Sequence, residues 1–215
     1  MGSKRRIGIM GGTFDPIHYG HLVTAEAARH LFGLEQVIFV PSGRPPHKQE
    51  SRVTPADERL QMTLLATVNN DNFIVSDREV RSERMSYTYD TMRSFHQELG
   101  DEAELFFITG ADAVLEIMQW RKIEEVADFC CFIAATRPGY RLESFHLSPK
   151  LAENIQFMEV PALAISSSDI RRRVAAGEPI KYLLPEPVEK YIAKHGLYLA
   201  QDGCGSNFAE ESVVK

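Results

Sequence analysis

Two histidines, His18 and His21, stand three residues apart at the end of a glycine-bearing loop. An imidazole can donate hydrogen bonds and takes up a positive charge just below neutral pH, so such a pair suits phosphate oxygens. Gly11 and Gly12 lie just upstream, followed by Thr13, Phe14 and the turn Asp15-Pro16. Glycines leave backbone N–H groups open to an anion, and a helix N-terminus adds a favourable field. A second group lies far along the chain, Ile165-Ser-Ser-Ser-Asp-Ile-Arg-Arg-Arg173. Its serines, 166 to 168 and so Ser167 and Ser168 among them, would cap a helix. Arg171, Arg172 and Arg173 then fall in the first two turns, where cations oppose the helix dipole. That local cost points either to an anion held there or to three plain surface arginines. The sequence contains no Gly-x-Ser-x-Gly, no nucleophilic cysteine motif and no metal-ligand cluster. A set of this kind positions phosphates and neutralises charge, and transfer at phosphorus needs little else.

These groups must be carried by specific elements. Ile7 to Met10 is an apolar run of strand length, and Leu22 to Phe32 reads as a helix. Gln36 to Val40 is a second strand, so the chain opens β–α–β with a right-handed crossover and a parallel sheet. The loop between the first strand and helix is not the dinucleotide fingerprint Gly-x-Gly-x-x-Gly. The second strand also lacks the acid that would hold a ribose 2′-hydroxyl, which disfavours a dehydrogenase. It is not a Walker A loop either, since no Gly-Lys-Ser/Thr closes it.

Pro41 to Glu50 is rich in turn formers and locally cationic through Arg44, His47 and Lys48. It is either a solvated loop or a phosphate contact. Thr54-Pro-Ala-Asp-Glu58 predicts a helix start capped by Thr54, with Leu60, Leu64, Leu65 and Val68 facing the sheet. Phe73-Ile-Val75 is a short strand, and Arg78 to Arg84 reads as an exposed connection or edge. Ser86, Tyr87 and Thr88 lead into a helix ended by Gly100. Ser86 or Thr88 either caps that helix or joins its N–H groups in binding a small carboxylate. Leu105 to Gly110 is a fourth strand, and Asp112 just past it could accept from ribose hydroxyls or cap the next helix. Trp120, the only tryptophan, is a core residue or a plate for a ligand ring. Phe129 to Ala135 is a buried strand holding Cys130 and Cys131, and Arg137 follows it toward the same sheet edge or into a solvated loop. His146 to Asn154 reads as irregular, Ile155 to Val160 as a strand, and Pro185 to Gly196 as a final amphipathic helix. The expected architecture is α/β, a doubly wound parallel sheet with a small C-terminal helical part. A single domain over residues 1–199 and a loosely held tail over 200–215 are expected.

With 215 residues, 44% hydrophobic and 25% charged, the chain has ample material for a core. A net charge of −6 argues against a nucleic-acid surface. There is no membrane-length apolar run and no signal-peptide pattern. Three cysteines without metal spacing fit a reducing cytoplasm, the expected location. A homo-oligomer is compatible with the sequence.

Gly11-Gly-Thr-Phe-Asp-Pro-Ile-His-Tyr-Gly-His21 resembles the (H/T)xGH signature of nucleotidyltransferases over eleven positions. Ile165-Ser-Ser-Ser-Asp-Ile-Arg171 is similar to the second signature of that superfamily. With Ser42-Gly-Arg-Pro-Pro-His-Lys48, Ser86-Tyr-Thr88, Gly110-Ala-Asp112 and Trp120, the chain looks like a bacterial nicotinate-nucleotide adenylyltransferase from about Arg6 to Leu199. The resemblance implies a Rossmann-like fold, ATP and nicotinate mononucleotide as substrates, and Mg²⁺ carried with the ATP rather than by protein side chains. It implies catalytic roles for His21, His18 and Arg171. ATP would meet Gly11, Gly12, Thr13, Phe14, His18, His21, Ser167, Ser168 and Arg171. The mononucleotide would meet Lys48, His47, Ser86, Tyr87, Thr88, Asp112, Trp120 and Arg137. Other transferases of this fold, using nicotinamide mononucleotide or cytidylyl transfer, and a non-catalytic ATP-binding regulator remain as alternatives.

Overall fold

The computed structural model describes residues 4–46, 53–110, 122–136, 148–161 and 163–200. Six strands form one parallel sheet: β1 (Arg5–Gly12), β2 (Gln36–Pro41), β3 (Phe73–Val75), β4 (Ala103–Gly110), β5 (Cys130–Thr136) and β6 (Ile155–Glu159). Their spatial order is β3-β2-β1-β4-β5-β6. Ile9 pairs with Ile38 on one side and with Phe107 on the other, so β1 is central. The helices are α1 (Tyr19–Leu31), α2 (Ala56–Thr67), α3 (Thr88–Leu99), α4 (Ile123–Val126), α5 (Pro149–Asn154), α6 (Ser167–Ala175) and α7 (Glu186–His195). Among the described residues no helix is long and apolar enough to cross a membrane.

Strand side chains alternate between faces, so a run apolar at every position must be covered on both sides. Met10, Val37, Phe39, Phe106 and Ile108 pack with α1, α2, α6 and α7 through Ala25, Met62, Ile170 and Val188. Ile7, Ile9, Ile38, Leu105 and Phe107 pack with α3, α4 and α5 through Met92, Val126 and Leu151. The doubly wound parallel sheet expected from the sequence is therefore present. In this order the winding reverses between β1 and β4, which opens a crevice at the C-terminal ends of those two strands.

Three local expectations need correction. Pro55, not Thr54, occupies the N-cap of α2. The buried face of α2 carries Arg59, Leu60, Met62, Thr63 and Thr67, while Leu64 and Val68 are exposed. Thr63 and Thr67 can be buried because each hydroxyl donates to the carbonyl one turn back, Arg59 and Thr63 respectively. The stretch before β6 is not wholly irregular. Ser148 caps α5 by accepting from Leu151 N, with Pro149 in the first turn, where its missing N–H costs nothing.

Candidate active site

The crevice is a cleft of about 340 Å³. Met10 and Gly11 of β1 and Ile108, Thr109 and Gly110 of β4 form its base. His18, Gly20, His21 and Thr24 form one wall, and Pro161, Leu163 and Ile165 form another. The imidazole rings of His18 and His21 stack with centroids 3.8 Å apart and planes at 26°. A Cβ on Gly20 would come within 2.9 Å of the His18 ring, so glycine between the histidines lets that ring lie flat against the loop.

The two imidazoles differ in their surroundings. His18 is only 6% exposed, and burial lowers its pKa from the ordinary 6.5 to about 4. It is therefore an uncharged hydrogen-bonding group at neutral pH. His18 is also the N-cap of α1, and its backbone N–H donates to His21 Nδ1 at 3.2 Å. An Nδ1 that accepts leaves the proton of the neutral ring on Nε2. His21 thus has a defined donor edge. The buried ring of Phe14 backs it, edge-on at 5.1 Å between centroids.

The second signature closes on the first across more than 150 residues of chain. Ser167 Oγ donates to Pro16 O at 2.9 Å. Arg171 Nη1 donates to Asp15 O at 2.6 Å, and its Nη2 reaches Ser168 Oγ at 3.3 Å. Ser166 caps α6 by accepting from Asp169 N. Asp15 is 3% exposed, and its carboxylate accepts from Tyr198 Oη at 2.7 Å and Thr54 N at 3.4 Å. Burial and the Asp15 charge both push the Tyr198 hydroxyl far above its ordinary pKa, so it stays a donor. Among the described residues no three His, Cys, Asp or Glu side chains converge as a metal site. The donors facing the cleft suit phosphate oxygens rather than a bare Mg²⁺ ion.

The sequence model described as cytidylyltransferase-like matches residues 9–173. A "Probable nicotinate-nucleotide adenylyltransferase" of Moorella thermoacetica is 60% identical over 198 residues, covering 90% of this chain and 91% of the relative. A protein of the same description from Thermoanaerobacter sp. is 55% identical over 203 residues, covering 92% and 96%. The chain belongs to the cytidylyltransferase-like family, in its nicotinate-nucleotide adenylyltransferase branch. The solved Plasmodium falciparum nicotinic acid mononucleotide adenylyltransferase complexed with NaAD shares the fold, with a TM-score of 0.71. It is 22% identical and covers 90% of this chain and 97% of that one.

Within this adenylyltransferase fold, the residues singled out from sequence fall into three groups. Gly11, His18 and His21 line the cleft. Ser167 and Arg171 meet the Asp15-Pro16 turn beside it, with Ser168 accepting from Arg171, which brings the two signatures together. Gly12 ends β1, and Thr13 starts the loop beyond it. The side chain of Phe14 lies behind His21 rather than in the cleft.

Of the residues expected to meet the mononucleotide, Ser86 accepts at Oγ from the N–H groups of Gly43 at 3.0 Å and Arg44 at 3.2 Å. The N-cap of α3 is Tyr87, without a side-chain cap, so neither Ser86 nor Thr88 caps it. Thr88 is the first residue of α3. His47, Lys48, Asp112, Trp120 and Arg137 lie outside the described residues.

Arg172 and Arg173 are a correction. They belong to the last turn of α6, where cations are favoured, and they pair with Asp169 and Glu178. Only Arg171 turns toward the loop. Sequence reasoning missed Asp15, Tyr198, Arg59 and Glu79. Arg59 left one trace, an Arg59-Thr63-Thr67 stripe of polar residues one turn apart.

Proposed function

We propose that this protein transfers the AMP moiety of ATP to nicotinate mononucleotide, giving nicotinate adenine dinucleotide and pyrophosphate. The family membership supports the reaction, and one observation carries the site. Arg171 and Ser167 bond to the Asp15-Pro16 turn that leads to His18 and His21. One triphosphate can therefore be gripped from both signatures.

A phosphate oxygen of the mononucleotide attacks the α-phosphorus in line. The bond from that phosphorus to the α–β bridging oxygen breaks, and pyrophosphate leaves with the electron pair. His21 Nε2–H donates to an α-phosphate oxygen, whose charge grows in the transition state. Neutral His18 and the open backbone at Gly11 and Gly12 bind the triphosphate without adding a full charge. Thr13 and the backbone at Phe14 border it. Ser167, Ser168 and Arg171 hold the β- and γ-phosphates as they depart. Mg²⁺ would enter with the triphosphate and supply charge neutralisation at its oxygens.

On the acceptor side, His47 and Lys48 meet the mononucleotide phosphate. The start of α3 at Ser86, Tyr87 and Thr88 receives the pyridine carboxylate, because a helix N-terminus favours an anion. Trp120 stacks on the ring, Asp112 accepts from a ribose hydroxyl, and Arg137 stands at the same strand edge.

The test is pyrophosphate release from ATP with nicotinate mononucleotide and with nicotinamide mononucleotide in parallel. The acid is expected to be the better acceptor in kcat/KM. Equal rates with both, or release only from CTP, would overturn the reading.

A further inference from the structure

Arg59 is the largest fully buried side chain among the described residues, 1% exposed, in the first turn of α2. A cation there opposes the helix dipole and must be desolvated, so α2 itself gains nothing from it. Its guanidinium instead ties three loops together. Nε donates to Thr54 O at 2.8 Å, Nη1 to Thr13 O at 2.8 Å and Nη2 to Gly43 O at 3.2 Å. Thr13 belongs to the triphosphate loop, and Gly43 to the turn that leads to the mononucleotide side.

Two acids, Asp15 and Glu79, favour the charged form of Arg59. Asp15 sits in the triphosphate loop, and Glu79 lies under the mononucleotide side. Glu79 accepts from Thr91 Oγ1 of α3 and hydrogen-bonds the Ser86 hydroxyl. Ser86 in turn accepts from Gly43 N. The Gly43 residue is thus clamped twice, its N–H by Ser86 and its carbonyl by Arg59. A Cβ on Gly43 would fall 2.1 Å from Glu79 O, so the two backbones touch directly.

We propose that Arg59 is a positioning residue that sets the distance between the triphosphate loop and the mononucleotide loop, and so the in-line alignment of the two substrates. The proposal rests on the reaction given above. The three carbonyls are met by three different nitrogens of a planar fork, whereas the three donors of a lysine ammonium radiate from one atom and do not reproduce that spread. Each substrate still meets its own loop when Arg59 is changed, but the loops lose their common spacer. A misplacement of about 1 Å between reacting groups costs on the order of 10²-fold in rate.

The experiment compares wild type, Arg59→Lys, Arg59→Gln and the core truncation Ile192→Ala. Pyrophosphate release gives kcat and both KM values. Calorimetry gives the separate affinities for a non-hydrolysable ATP analogue and for nicotinate mononucleotide. Absence of wild-type turnover would sink the reaction, not the positioning role. With wild-type turnover in hand, the expected result for both Arg59 variants is a kcat lower by about 10²-fold with each single-substrate affinity within about threefold. Ile192→Ala should lower Tm and leave kcat near wild type. An Arg59→Lys enzyme with wild-type kcat overturns the proposal. So does a parallel loss of kcat, affinity and Tm that Ile192→Ala reproduces. If neither Arg59 variant folds, Glu79→Gln carries the test, since it keeps the side-chain shape beside Ser86 and Thr91. A kcat at least tenfold lower with unchanged affinity for the ATP analogue supports the proposal, and an unchanged kcat refutes it.

Discussion

Replacing His21 by asparagine separates the two jobs of its ring. The amide oxygen of asparagine lies about where Nδ1 lies in histidine, so it can still accept from His18 N–H, now at 3.2 Å. What it lacks is the donor at the Nε2 position. The His18–His21 bond contributes roughly 0.5–1.5 kcal/mol to stability, as an ordinary hydrogen bond does. Asparagine should keep most of that, while alanine loses it. Both variants lose the donor to the α-phosphate, and one such donor is worth about 10²–10³ in turnover. The expected pattern is therefore a kcat reduced by about 10²–10³ in both His21→Asn and His21→Ala. Only the alanine variant should also show a lower Tm. Steady-state pyrophosphate release at saturating ATP and nicotinate mononucleotide gives the first quantity, and thermal unfolding the second. An asparagine variant that turns over within threefold of wild type would refute a donor role for Nε2. It would leave His21 as a helix-capping residue only.

Two further outcomes follow from the same site. The His18 pKa is lowered on folding from 6.5 to about 4, so the unfolded chain binds more protons between those values and stability falls as pH drops. The loss between pH 7 and pH 5 is about 2 kcal/mol from this group. Urea unfolding at the two pH values should show that loss in wild type and not in His18→Gln; equal losses in both would remove His18 as its source. Tyr198→Phe deletes the donor to the buried Asp15 carboxylate. It should cost about 1–3 kcal/mol in thermal or urea unfolding, and a change under a few tenths would mean that Asp15 finds another donor.

The parts of this protein that were readable in the sequence are those fixed by local patterns. Ile7 to Met10, Gln36 to Val40 and Leu105 to Gly110 are apolar at nearly every position, and that pattern marks strands buried on both faces. Gly100 and Gly196 end α3 and α7 with positive φ, as stop signals at those places require. The Ser148-Pro149 pair is an equally local signal for α5. The apolar face of α2 misled for a different reason. Leucines at 60, 64 and 65 and Val68 form a plausible stripe, yet the helix is rotated so that Arg59, Thr63 and Thr67 point inward. Helical periodicity reports which residues share a face, and tertiary partners decide which face is buried.

Arg59 gives the limit of that kind of reading. An arginine in a first helical turn looks like any solvated cation, and its cost is visible only when the helix is seen against the sheet. What holds it inward is not a motif but three carbonyls, from residues 13, 43 and 54, together with the Asp15 and Glu79 carboxylates. Carbonyl oxygens are present at every residue, so their convergence leaves no mark on amino-acid type. The same holds for Asp15, whose partners Thr54, Arg171 and Tyr198 come from three distant stretches. The histidines that line the cleft were legible because phosphate chemistry demands particular side chains at a particular spacing. The groups that hold the loops apart were not, because backbone geometry can be braced by any donor that reaches.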